Sequence, residues 1–180
     1  MSDLVRIVYL SQASFDADRG EGIHPEVARI LSQSRRNNAR SGIVGALHYA
    51  DGHFLQVLEG PRAAVESLVQ RLARDPRHQR FTVVRSQAIE EASFASWSMK
   101  FVPSAADVRA LLAQAGQDRF DPFAFDAATL DSFVGLLHGE PALDPADAAP
   151  VGSGRRGWPL LLVAGLALAT AVALLAMRGG

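Results

Sequence analysis

The order of elements legible in this chain, β-α-β-β-α-β with one further strand, predicts an α+β sandwich in which helices cover a sheet. Three observations carry that reading. Runs rich in β-branched and apolar residues recur at 4–10, 42–49, 53–59, 81–89 and 97–102. Two stretches between them place apolar residues at helical spacing. An Asp51-Gly52 pair joins the second and third runs, as in a two-residue hairpin turn. The order matches the split βαβ pattern of a ferredoxin-like sandwich.

Each element follows from its residues. The first strand, LVRIVYL, gives way at Ser11 to a polar, glycine-bearing stretch that reads as a loop to Gly22. From Pro25 a helix is expected, with Val27, Ile30, Leu31 and Ser34 on one face running on toward Asn37 and Asn38. Arg35, Arg36 and Arg40 fall on its solvated side. Gly60-Pro61 is expected to open a second helix, with proline at the first helical position, a buried stripe of Val65, Leu68, Val69 and Leu72, and a stop at Asp75-Pro76.

The strand 53–59 holds the most informative residue. Gln56 sits among Phe54, Leu55, Val57 and Leu58, so its amide should be buried, and a buried amide without partners costs about 1–3 kcal/mol. Alternation puts Gln56 with Phe54 and Leu58 on one face, Leu55 and Val57 on the other. Both sheet faces therefore need cover, and two helices supply only one. The second cover is expected from a helix capped by Ser104, with Val108, Leu111, Leu112 and Ala115, and another capped by Asp126, with Leu130, Phe133, Val134 and Leu137.

Composition narrows the function classes. A formal charge of -1 over 180 residues gives no electrostatic footprint for nucleic acid. The absence of cysteine excludes disulfides and thiolate chemistry. Five histidines show no metal-ligand spacing, so no metal site is expected.

Residues 158–177, WPLLLVAGLALATAVALLAM, carry no charge, and at about 1.5 Å per residue they make roughly 30 Å of helix, the span of a bilayer core. A buried core helix rarely runs so long without a polar face. Arg155 and Arg156 precede the segment and Arg178 alone follows, which places the N-terminal part on the cytoplasmic side by the positive-inside tendency. Gly165 and Ala169 stand at small-xxx-small spacing, a sign of helix association and so of a homo-oligomer. The expected organisation is a folded core at 1–102, covering helices at 103–138, a linker at 139–157 rich in Pro, Ala, Gly and Asp, and a single-pass membrane helix at 158–177.

Five pieces, in order, resemble the BLUF family of flavin-binding blue-light sensors. They are Tyr9 in IVYLSQAS, SRRNN at 34–38, GIVG at 42–45, FLQVLEG at 54–60 and WSMKF at 97–101, with DPRH at 75–78 in support. The resemblance covers about the first 102 residues. It implies noncovalent FAD with its ring between the two helices, and a red-shifted state formed by light-driven rearrangement of hydrogen bonds.

In that resemblance Tyr9 gives an electron and then a proton to the excited flavin, although the strand alone would equally suit an ordinary buried tyrosine. Gln56 is the switch, since reversing an amide exchanges donor for acceptor without introducing charge. A glutamine satisfied by backbone alone is the plain alternative. Asn38, and less firmly Asn37, would bond the flavin's carbonyl and imide edge, although paired asparagines also suit a helix end. Arg71 would reach the pyrimidine edge or simply be solvated. Arg77 and His78 would shape the turn beneath the flavin, His78 otherwise lying at the surface. Ser34 falls within the SRRNN motif, and Ile23 and Ile30 are apolar ring contacts or ordinary core. Trp97 and Met99 share a face of the last strand, and one of the two lies near the glutamine.

Two departures stand out: Val44 replaces a common threonine in GIVG, and the loop 11–24 is long. Neither touches Tyr9, Gln56 or Asn38. The expected function is a membrane-tethered photoreceptor, not an enzyme, that presents an altered surface to a protein partner. A light-insensitive flavin- or protein-binding scaffold on the same fold is the alternative. An acylphosphatase-like hydrolase would need an arginine-bearing phosphate loop after the first strand, which Ser11-Gln12-Ala13-Ser14 does not provide.

Overall fold

The computed structural model describes residues 3–16, 23–94, 98–102 and 106–139. The expected Ser104 cap, the side chain of Trp97, the linker from 140 onward and the apolar segment 158–177 lie outside the described residues. Among the described residues, no helix is long and apolar enough to cross a membrane.

Strands β1 (Leu4–Ala13), β2 (Val44–Ala50), β3 (His53–Pro61), β4 (His78–Ile89) and β5 (Lys100–Val102) form one sheet. Its order is β4-β1-β3-β2-β5. Neighbours are antiparallel except β5, which runs parallel to β2. Helices α1 (Pro25–Ser41) and α2 (Arg62–Leu72) pack on one face, while α3 (Ala106–Gln114) and α4 (Ala127–Gly139) cover the other. The expected α+β sandwich and its second cover are therefore both present.

The alternation in β3 divides two cores. Phe54 and Leu58 join Val27, Ile30 and Leu31 of α1 and Val65 of α2. Leu55 and Val57 join Val108 and Leu112 of α3 and Leu130, Phe133, Val134 and Leu137 of α4. Asp51 and Gly52 take positive φ, 47° and 77°, giving the twist a tight hairpin needs. Asp126 Oδ1 accepts from the Thr129 N–H at 2.7 Å and so starts α4.

Several boundaries differ from the expectation. Ser11, Gln12 and Ala13 extend β1 instead of opening a loop, because their backbone pairs with β3 and β4 and the Ser11 hydroxyl finds a partner in His78. Gly42 closes α1 in a left-handed conformation, its N–H bonded to the Asn38 carbonyl, so β2 starts at Val44. Pro61 ends β3 and precedes α2 instead of opening it. The fourth strand starts at His78, before Phe81, and the fifth at Lys100, after Trp97. Of the stripe expected on α2 only Val65 is fully buried; Leu68, Val69 and Leu72 are half-buried because α1 and α2 diverge around a cleft.

His48 of β2 is fully buried on the α4 side, where its Nδ1–H donates to the Val102 carbonyl at 2.8 Å and Phe120 and Phe133 meet it edge-on. Burial pushes its pKa down to about 4, and His78 moves likewise to about 4. A depressed pKa means that the unfolded chain takes the proton first. This contribution to stability is complete above about pH 6.5 and is lost as the pH falls toward 4, by roughly 3 kcal/mol per histidine. His48→Phe should lower the slope of unfolding free energy against pH between 6.5 and 5, with His78 and the likewise lowered His138 carrying the remainder, measured by urea titration. An unchanged slope would show that His48 is not the group excluded from protonation.

Candidate functional site

Tyr9 and Gln56 stand opposite each other in the β1–β3 register, both on the face that α1 and α2 cover. The Tyr9 hydroxyl donates to Gln56 Oε1, and Gln56 Nε2 donates to Met99 Sδ at 3.2 Å. All three side chains are buried. The amide between apolar neighbours is thus held at both ends by side chains, not by backbone. Burial raises the Tyr9 pKa well above the usual phenol range, with the nearby Asp75 charge adding to the rise and Arg77 opposing it. The group that faces Gln56 is therefore the phenol, not the phenolate.

Beside this chain of contacts, a cleft of about 150 Å³ opens between α1 and α2. Ile30, Ser34, Asn37 and Asn38 of α1 line one wall, Leu68, Arg71 and Leu72 of α2 the other, and Asp75, Arg77 and His78 close the end. The structure thus gathers Asn38, Asn37, Arg71, Ser34, Ile30 and His78 around one opening. Tyr9 and Gln56 lie in the sheet below, and the His78 ring meets the Tyr9 ring edge-on at 6.2 Å.

His78 anchors its Nδ1 on the Ser11 hydroxyl at 2.8 Å, while its buried Nε2 has no partner among the described residues. Asn38 is buried and its amide donates to the Ser98 carbonyl at 3.0 Å, so α1 holds the approach to β5. Arg35 was expected in solvent, but it is half-buried and its Nε donates to the Met99 carbonyl at 3.0 Å. The correction follows from β5, which lies alongside that turn of α1 and gives the guanidinium a carbonyl.

Sequence reasoning missed Ser11, Gln33 and the full role of Asp75. Asp75 accepts the Arg77 N–H at 2.9 Å and the Arg77 guanidinium as well, and that guanidinium reaches Gln33 Oε1 at 3.3 Å. The hydrogen bond from Arg77 is the main reason the Asp75 carboxyl titrates below its usual range. The Asp-Pro-Arg spacing was the available signal, since an aspartate often bonds the backbone two residues on. Nothing in the sequence pointed to Ser11, which read as the start of a loop until the structure placed it in β1.

The arrangement suits a flat heterocycle with polar edges. Ile30, Leu68 and Leu72 give it apolar walls, and the carboxamides of Asn37 and Asn38 offer donors and acceptors. The unpartnered His78 Nε2 and the Arg71 guanidinium add polar contacts at the edges. A ring seated there would lie next to a phenol and an amide already in hydrogen-bond contact.

A family model described as BLUF, sensors of blue-light using FAD, matches residues 4–100. The photoactivated adenylate cyclase subunit beta of Euglena longa is 33% identical over 99 residues, 54% of this chain and 11% of that protein. The chain therefore spans about a tenth of the length of the curated relatives it matches. Among solved structures, the photo-activated state of BlsA superposes with a TM-score of 0.70 at 30% identity, covering 78% of this chain and 99% of that one. The dark-state structure of BlrB, a BLUF protein, gives 0.53 at 34% identity, covering 63% and 82%.

Proposed function

The chain belongs to the BLUF family of blue-light sensors using FAD, and from that premise we propose that it is a membrane-tethered photoreceptor switched at Gln56. BLUF domains bind FAD, and the BLUF domain is a sensor, not itself a catalyst. The cleft residues fit that cofactor: Asn38 and Asn37 for its carbonyl and imide edge, Arg71 for the pyrimidine side, Ile30, Leu68 and Leu72 for the ring faces, and His78 with Ser34 around its margin. FAD, when bound, supplies blue-light absorption and an excited state that accepts an electron.

The observation that carries the reading is the buried run from Tyr9 through Gln56 to Met99. Because the Tyr9 phenol keeps its proton in the dark, loss of an electron must send that proton along the existing hydrogen bond to Gln56 Oε1. Gln56 then turns or gives up a proton from Nε2, and return of an electron and a proton to Tyr9 restores the neutral phenol. A turned amide puts its oxygen against the Met99 thioether, which has no hydrogen to give, so the Met99 contact opens. The dark orientation is the one the thioether favours, which makes the change reversible.

The altered β5 and the covering helices then present a different surface to a protein partner. The uncharged segment 158–177, with arginines ahead of it, supports tethering in a membrane with residues 1–139 on the cytoplasmic side. Residues 1–102 act as photosensor core, 103–138 as cover, 139–157 as linker, and the small residues Gly165 and Ala169 favour association of two copies.

Absorption spectra of the detergent-solubilised full chain, taken before and after blue light, test the reading. A yellow protein whose flavin band moves to longer wavelength and returns in the dark is expected. A colourless protein, or a band that only bleaches, would sink it.

A further inference from the structure

The structure carries an unusual cation one residue beyond Met99. Lys100 of β5 is 4% exposed and points to the sheet face opposite Met99. Its ammonium donates to the carbonyls of Leu137 at 2.8 Å and His138 at 3.2 Å, in the last turn of α4. Those carbonyls belong to the four that a helix end leaves without an intrahelical partner, and they sit at the negative end of its dipole. A lysine on a sheet strand thus closes the C-terminus of a helix that follows much later in the chain.

The surroundings tie the same helix end to the segment ahead of β5. His138 stacks on Phe94 with ring centres 4.3 Å apart and planes 15° apart. The Phe94 N–H donates to the fully buried Glu59 at 3.3 Å, and the Arg6 guanidinium holds that carboxylate from its other side at 2.6 Å. On the photosensing face, Met99 is gripped by Gln56 through sulfur and by Arg35 through its carbonyl. Only three residues of β5 pair with β2, and one of these β2 residues, Leu47, also stands opposite Gln56 on β3.

We propose that Lys100 is the positioning residue through which the state of Gln56 opens or closes the last turn of α4. This rests on the blue-light reading of the Tyr9–Gln56–Met99 contacts. When Gln56 Nε2 leaves Met99, the Met99 side chain loses its bond, while Arg35 and Asn38 still hold the Met99 and Ser98 carbonyls. Lys100, the next residue, then carries the displacement through the sheet to the Leu137 and His138 carbonyls. The final turn of α4 frays at the point from which the chain continues beyond Gly139.

Amide hydrogen exchange on the FAD-loaded full chain, in the dark and under steady blue light, tests the coupling. In the native protein, exchange at residues 137–139 should rise several-fold in the light and return in the dark. Lys100→Met should keep a reversible flavin shift yet exchange equally fast in both conditions, and Lys100→Arg should restore most of the difference. If Lys100→Met does not fold, Lys100→Gln takes its place, with the light–dark difference expected to fall by more than half. An undiminished difference in either variant overturns the proposal. So does a native protein whose flavin shifts while α4 exchanges identically in light and dark. Absence of any flavin shift in the native protein instead removes the photoreceptor reading on which the coupling stands.

Discussion

Gln56→Leu should leave FAD bound and abolish the reversible red shift. Leucine is close in volume, and Asn37, Asn38, Arg71 and His78 line the cleft while the substituted amide bonds Tyr9 and Met99, so cofactor retention is the expected result. The Tyr9 hydroxyl, fully buried, loses its acceptor, and Met99 loses a donor it does not need. A buried hydroxyl left without a partner costs about 1–3 kcal/mol, so the variant should also melt several degrees lower. The functional loss is complete because no other described side chain accepts the Tyr9 proton. Absorption spectra before and after blue light, with flavin content from the denatured protein, give both readouts. A Gln56→Leu protein that shifts and recovers at the native rate would remove Gln56 from the mechanism.

Gly45→Ala carries the largest expected cost in stability. A Cβ at Gly45 would stand 2.0 Å from the Val57 carbonyl oxygen and 3.1 Å from its carbon, and these are backbone atoms with no rotamer to yield. The strands must separate, in the middle of the sheet and between both cores. Overpacking costs about 1–3 kcal/mol where side chains can move, and a backbone collision belongs at or above the upper figure, near a 10 °C fall in melting temperature. Gly45 pairs with Leu58, and two residues on, Leu47 pairs with Gln56, so whatever protein folds should also recover from light at an altered rate. A melting temperature within about two degrees of the native value would mean that β2 does not approach β3 this closely.

Much of this site was legible because it depends on short-range pattern. Period-two alternation placed Gln56 with Phe54 and Leu58, whereas Tyr9 was readable as its partner only through the family resemblance, and the β1–β3 register does set the two opposite each other. Helical spacing brought Ile30, Ser34, Asn37 and Asn38 to one side of α1, and they do line the cleft. Other features were not readable for equally physical reasons. Trp97 and Met99 share parity on a strand, so alternation cannot say which one meets Gln56; the contact of Met99 depends on how β5 lies beside β2 and α1. Arg35 reads as a solvated helix residue until a carbonyl is brought against it. Glu59 and Lys100 lie on the sheet face that α3 and α4 cover, and nothing local in the sequence says which groups meet their charges there.

Periodicity, turn chemistry and residue type are local, and from them alone the chain determined its order of elements, the Asp51-Gly52 hairpin and the two-sided sheet. The partner of a buried polar group is set by whatever the fold carries to it from elsewhere in the chain. Only the tertiary structure decided that Met99 holds the amide's nitrogen, that Arg35 and Asn38 pin the approach to β5, and that Lys100 closes a helix 37 residues away. Gln56 needed a partner on energetic grounds wherever it was buried; which atoms met that need was a matter of packing.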